Sequence, residues 1–163
     1  MSSVASEDAR RRRRRLATEI KDSLRVLSNQ LSLLNHQVGA QLALKDVDLD
    51  CLDLITRDGP LTPSTLARRT GLHPATMTGI LDRLQRGGWI TRERDPEGAD
   101  RRAVMIRAVR DRSAEVFHAY GGMNTSMDAV LAEYSAAELE LLVDFLQRTT
   151  AAGQTATSEL AEA

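Results

Sequence analysis

A chain of 163 residues with 42% apolar residues is enough for one core, with room for appendages. Aromatic residues make up only 3%, which disfavours the stacking platforms that hold single-stranded nucleic acid, and a net charge of -1 leaves no overall polyanion signature. The charge is unevenly spread: residues 1–15 hold six Arg against two acids, residues 68–102 eight Arg against five acids, and residues 111–163 two Arg against nine acids. A basic middle with an acidic end is what a DNA-facing lobe on a body turned away from DNA would show.

The Arg10–Arg15 run is followed by the charged, amphipathic stretch Leu16-Ala17-Thr18-Glu19-Ile20-Lys21-Asp22, so it lacks the apolar core of an export signal. Residues 1–15 are expected to be a disordered Arg-rich arm, solvated or adding nonspecific phosphate contacts. No apolar stretch is long enough for a membrane span. From Leu16 the apolar positions Ile20, Leu24, Leu27, Leu31, Leu34 and Val38 recur at helical spacing, predicting a long helix with a seam.

A second helix is predicted over 47–57, closed by Asp58-Gly59-Pro60. Asp46, Asp50 and Asp53 share one of its faces; carboxylates so spaced can bind a metal, but a solvated face near a helix N-terminus explains them without one. Cys51 is the only cysteine, which excludes an intramolecular disulfide and fits a reducing cytoplasm. Its neighbours Val47, Leu52, Leu54 and Ile55 make it a buried small apolar residue in this reading.

Thr62-Pro63 is a capping residue followed by the residue suited to a first helical position, and Gly71 suits the left-handed stop. His73-Pro74 starts another helix, with His a poor cap. From Pro74 to Arg86, Met77, Ile80, Leu81 and Leu84 form one buried stripe. The opposite face then carries Ala75, Thr76, Gly79, Asp82, Arg83 and Arg86. A mid-helix glycine costs about 1 kcal/mol relative to alanine, so an exposed Gly79 points to a close approach by something else. Small residues, Thr and Arg suit a major groove, although on this helix alone a solvated face with a tolerated glycine reads equally well.

Gly87-Gly88 stops the helix, 89–94 is a strand candidate, and Val104 and Ile106 alternate on the return strand. Between them lies the turn-rich, charged loop 95–102, with Arg101 and Arg102 at its exit. A charged tip beside a reading helix is placed to reach phosphates or a minor groove. After the hairpin, Val116, Tyr120, Met123, Met127, Val130 and Tyr134 form another helical seam, with a kink expected at Gly121-Gly122. Ser135-Ala136-Ala137-Glu138 is a capping box opening a last helix with Leu139, Leu142, Val143, Phe145 and Leu146 on its apolar side.

The stretch Leu72-His73-Pro74-Ala75-Thr76-Met77-Thr78-Gly79-Ile80-Leu81-Asp82-Arg83-Leu84, then Gly88-Trp89-Ile90 and Asp100-Arg101-Arg102-Ala103-Val104, resembles the core of the MarR family of regulators. The resemblance implies a winged helix-turn-helix, mainly α with a small β-hairpin wing, on a dimerisation domain built from N- and C-terminal helices. It also implies that the Arg of the wing's Asp-x-Arg motif, here Arg102, enters the minor groove, while Asp100 orients basic groups around the reading helix. Two departures stand out: a longer tip near Glu97-Gly98, and Ala108-Val109-Arg110 where the family commonly has Leu-Thr and a Gly. Some relatives sense peroxides through a lone cysteine near the start of the first helix, whereas Cys51 lies in the second.

The expectation is therefore a homodimeric regulator that binds a palindromic double-stranded DNA operator, a repressor released by a small-molecule effector. Its DNA contacts would be Thr76, Gly79 and Arg83 in the major groove, Thr78 and Arg86 at its edge, Arg101 and Arg102 at the wing, and Asp100 in support. Domains are expected at 1–15 (arm), 16–45 with 108–151 (helical dimerisation region), 46–107 (winged helix-turn-helix) and 152–163 (flexible tail). Pairing the apolar seams with a second copy would bury them and set two reading helices about one DNA turn apart; packing within one chain is the alternative. His36, His73 and His118 are isolated, and no nucleophile motif, phosphate loop or metal-ligand cluster is present, so no enzyme, cofactor or metal is expected. The rival readings are a winged-helix module that binds protein and a redox switch at Cys51.

Overall fold

The computed structural model describes residues 2–94 and 103–162. In chain order the elements are α1 (Ser2–Leu42), α2 (Asp46–Asp58), α3 (Pro63–Thr70), α4 (Pro74–Arg86), β1 (Ile90–Arg94), β2 (Val104–Ala108), α5 (Arg110–Ala119), α6 (Gly121–Leu131) and α7 (Ala136–Glu162). They divide into two units, Met1–Leu49 and Asp50–Ala163.

In the first unit the seam predicted from Leu16 onward is helical, but α1 begins at Ser2. The stretch expected to be a disordered arm is thus helix. Nothing in 2–15 breaks one: it has no Gly or Pro, and Ala, Glu and Arg are among the better helix formers. Arg15 Nε also lies 3.2 Å from Glu19 one turn ahead. The seam is open to solvent over most of its length, with Leu16, Ile20, Leu27 and Leu31 between 37% and 45% exposed and only Val38 buried. At the end of α1 the Leu44 N–H donates to Gly39 O at 2.8 Å. A side chain at Gly39 would meet Leu44 O at 2.9 Å, so this turn needs glycine. His36 Nδ1 stands 3.2 Å from the Asp46 carboxylate, tying the end of α1 to the start of α2.

In the second unit Cys51, Leu52 and Ile55 of α2 are buried, and the Cys51 side chain is fully enclosed. Asp53 pairs with Arg57 on its own helix, so Asp46 and Asp53 are each engaged by a basic partner. Among the described residues no three His, Cys, Asp or Glu side chains gather as a metal site would require. β1 and β2 pair antiparallel, with Ile90 opposite Ala108 and Arg92 opposite Ile106. Leu61 adds a one-residue third rung: its N–H donates to Ile106 O and its carbonyl accepts from Ile106 N. Leu61, Ile90 and Ile106 are all buried, so this small sheet closes one side of a core filled by Leu66, Met77, Ile80, Leu81 and Leu84.

The seam after the wing is interrupted where the glycine pair stands. Tyr120 leaves helical geometry between α5 and α6. Burial, then the nearby Asp53 and Asp50 carboxylates, push the Tyr120 phenol above its ordinary range, so it stays protonated. On α6 and α7 Val130, Leu141, Val143 and Leu146 are half exposed or more. The tail expected from residue 152 continues as helix to Glu162. The Ala-rich sequence favours this, and Thr155, Thr157 and Ser158 satisfy their hydroxyls on carbonyls one turn back instead of competing for the backbone N–H groups.

Ser135 and Glu138 form the capping box as read from the sequence. Ser135 N–H and Oγ–H both donate to Glu138 Oε2, at 2.8 and 2.7 Å, and Ser135 Oγ accepts from Glu138 N at 3.4 Å. The Ser135 hydroxyl and then its backbone N–H hold the Glu138 carboxyl below its ordinary range. The stability this supplies is present above the ordinary carboxylate range and is lost as pH falls through the lowered value. Ser135→Ala should lower the melting temperature at neutral pH and lower it less in acid. Thermal melts of both proteins at pH values above and below the carboxylate range check this; an equal gap at the two would show that the cap does not depend on the carboxylate.

Candidate nucleic-acid interface

α3 and α4 owe their geometry to five residues at their ends. Thr62 Oγ1 accepts from Thr65 N at 3.2 Å and starts α3, with Pro63 at its first position. Gly71 ends it at φ 67°, a left-handed conformation that glycine adopts without strain. His73, expected to cap poorly, does cap α4: its Nδ1 accepts from Ala75 N at 3.2 Å. An imidazole with an unprotonated Nδ1 supplies the same acceptor as Asn at that reach. Pro74 follows at the first helical position.

Met77, Ile80, Leu81 and Leu84 are buried, and they fix which side of α4 faces outward. Thr76, Thr78 and Arg86 are exposed, with Gly79, Asp82 and Arg83 partly so. The outward residues differ in what they offer. No side chain among the described residues occupies the Thr76 hydroxyl, whereas Thr78 donates its own to Pro74 O at 3.0 Å. Arg86 Nε donates to Asp82 O at 3.2 Å, which bends the side chain back along the helix.

Among the described residues Gly79 is covered only by Arg83, whose Nη1 lies 3.6 Å from where a β-carbon would stand. That is ordinary contact. Neither backbone strain nor internal crowding therefore requires glycine at this position.

The hairpin is fastened to α4 by charge. Arg92, on the same sheet face as buried Ile106, reaches Asp82 with Nη2 at 2.6 Å from Oδ1. On the other face Arg107 Nε lies 3.1 Å from Glu93 Oε2. The α4–β1 turn is held from the far side by α5: the Arg112 guanidinium sits 3.8 Å from the centre of the Trp89 ring and donates to Gly87 O at 3.4 Å and to Glu115 at 2.6 to 2.7 Å. Trp89 is buried, and its backbone N–H donates to Leu84 O. Asp100, Arg101 and Arg102, the expected wing contacts, lie outside the described residues.

This arrangement matches known proteins. The MarR family model matches residues 44–104. An uncharacterized HTH-type transcriptional regulator, YcgE of Bacillus subtilis, is 34% identical over 116 residues, covering 71% of this chain and 74% of that protein. The chain belongs to the MarR family. The HTH-type transcriptional repressor YetL of the same organism is 32% identical over 90 residues, covering 55% of this chain and 53% of its own. Among solved structures, a MarR family protein from Bacillus stearothermophilus superposes with a TM-score of 0.64 at 21% identity, covering 83% of this chain and 94% of that one. The regulator Tm0710 from Thermotoga maritima superposes at 0.61 with 21% identity, covering 86% and 98%. These likenesses carry the winged-helix fold, and the family makes the chain a DNA-binding transcription regulator rather than an enzyme. Among the described residues no helix is long and apolar enough to cross a membrane.

Within this MarR frame the residues expected on the reading helix share one outward side. Three supports behind them escape sequence reasoning: the Leu61 rung, the Asp82–Arg92 pair and the Arg112–Trp89 contact. Only the last leaves a trace, in a lone tryptophan directly after Gly87-Gly88.

Proposed function

We propose that the chain acts as a homodimer whose two α4 helices enter successive major grooves of a palindromic operator, with Arg102 of the wing in the flanking minor groove, Asp100 orienting it, and Arg101 beside it as a further DNA contact. The observation that carries this reading is the outer face of α4. Thr76, Gly79, Arg83 and Arg86 stand on the side away from a fully buried stripe, with Thr78 at the margin, and among the described residues nothing packed on Gly79 requires it to be small. Support for the dimer comes from the open seams of α1 and α7, which a second copy would bury.

Fluorescence anisotropy on duplexes selected from a random pool tests the assignment. Arg83→Ala and Arg102→Ala should each cost about 1–3 kcal/mol of affinity for the selected duplex, roughly a 5- to 150-fold loss, while leaving the oligomer intact. Unchanged affinity in both variants would remove these two residues from the interface and turn attention to a protein partner.

Repression and release by a small-molecule effector complete the proposal. YetL is named a repressor, which favours repression here. Displacement of bound duplex by members of a compound collection tests the effector. A redox trigger at Cys51 has less support, because that thiol is wholly enclosed.

A further inference from the structure

We infer that the N-terminal part of α1 is a second DNA-binding surface, in which Arg10–Arg14 contact phosphates irrespective of sequence; this rests on the DNA-binding reading above. Residues 10–14 are helical and exposed. None of the five has a carboxylate within ion-pair reach among the described residues, in contrast to Arg15, which pairs with Glu19. At about 100° per residue, five consecutive arginines point around the whole helix, so any approach meets two or three of them. The apolar seam used for a second copy ends at Leu16: one and two turns further back the same stripe carries Arg12, Arg13 and Ala9. Finally, a dimer brings two such clusters, whose mutual repulsion is relieved by a polyanion and not by a second basic helix.

The acidic α7 of a partner copy is the competing occupant, and it offers little. Asp144 is paired with Arg148 and Glu138 is held in the Ser135 cap, leaving, among the described side chains, Glu140 and Glu159 at opposite ends of the helix. DNA instead presents a phosphate every few ångströms along its axis.

The test uses the full chain with Arg10, Arg11, Arg12, Arg13 and Arg14 all replaced by Gln, a second variant with the same five replaced by Lys, and a labelled 30-base-pair duplex of random sequence. Binding is titrated at several salt concentrations, with sedimentation to measure oligomer mass. Two or three lost phosphate contacts should flatten the slope of log K against log salt by about 2–3 and weaken binding by on the order of 100-fold at about 0.1 M salt. The Lys variant should keep the steep slope, because it keeps charge and helix propensity. An unchanged slope in the Gln variant overturns the inference. So does a Lys variant as flat as the Gln variant, or a Gln variant that sediments at half the mass, which would assign the arginines to the partner subunit. If the unaltered chain itself binds duplex without salt dependence and is indifferent to Arg83→Ala, the DNA-binding reading fails as a whole, a result distinct from failure of this surface alone.

Discussion

Gly87→Ala should destabilise the fold by about 1–3 kcal/mol and weaken DNA binding at the same time. The backbone at Gly87 is ordinary right-handed helical, with φ -75° and ψ -5°, so the effect does not come from strain in φ. It comes from space. A β-carbon there would stand 2.6 Å from Trp89 Cδ1, 2.9 Å from Trp89 Nε1 and 3.4 Å from Arg83 O. The indole cannot swing away freely, because it is buried at 3% exposure and the Arg112 guanidinium lies against its ring. Either the ring shifts and the Arg112 contact is lost, or the α4–β1 turn opens and carries the end of the reading helix with it. Trp89 is the only tryptophan, so its emission reports this site alone. The variant should melt several degrees lower, at roughly 2–4 °C per kcal/mol for a chain of this size, with emission shifted to the red. Native melting and unshifted emission would mean that the turn accommodates a methyl group by small adjustment, and the coupling of α5 to α4 through Arg112 would lose its support.

How much of this site is legible in the sequence depends on how local each determinant is. The caps at Thr62 and Gly71 and the stripe Met77, Ile80, Leu81 and Leu84 are set by neighbours within a turn or two, and the structure has them as read. His73 is underrated by cap rankings because these describe average hydrogen-bonding ability, whereas a single imidazole tautomer meets the requirement here. The Leu61 rung is invisible because one residue has no period, and its partner Ile106 lies far along the chain. The Asp82–Arg92 and Arg112–Gly87 contacts also join distant residues whose local patterns read as solvated charge. At the two ends of the chain, polar composition suggests disorder. Arg, Ala and Glu without glycine or proline in 2–15 are also a helix-forming composition, and the sequence alone does not separate the two outcomes.

Gly79 gives a second large effect, and one with opposite signs in two measurements. Gly79→Ala removes a mid-helix glycine from α4 where, among the described residues, the added methyl would meet only Arg83 Nη1 at 3.6 Å, so stability should rise by about 1 kcal/mol. If α4 lies in the major groove, the same methyl stands between the helix backbone and the base edges, and affinity should fall although the fold is firmer. Gly79→Leu extends the series. On the free protein it still projects outward from the stripe Met77, Ile80, Leu81 and Leu84 and should fold normally, while in the groove it should cost about 1–3 kcal/mol or more by overpacking. Thermal melting and anisotropy on the same preparations decide the point. Raised stability with graded loss of affinity from Ala to Leu would place the α4 backbone against DNA, and the glycine would then be a cost to folding retained for contact. Raised stability with unchanged affinity in both variants would turn this face away from the groove, and Arg83 would have to act from further along the helix.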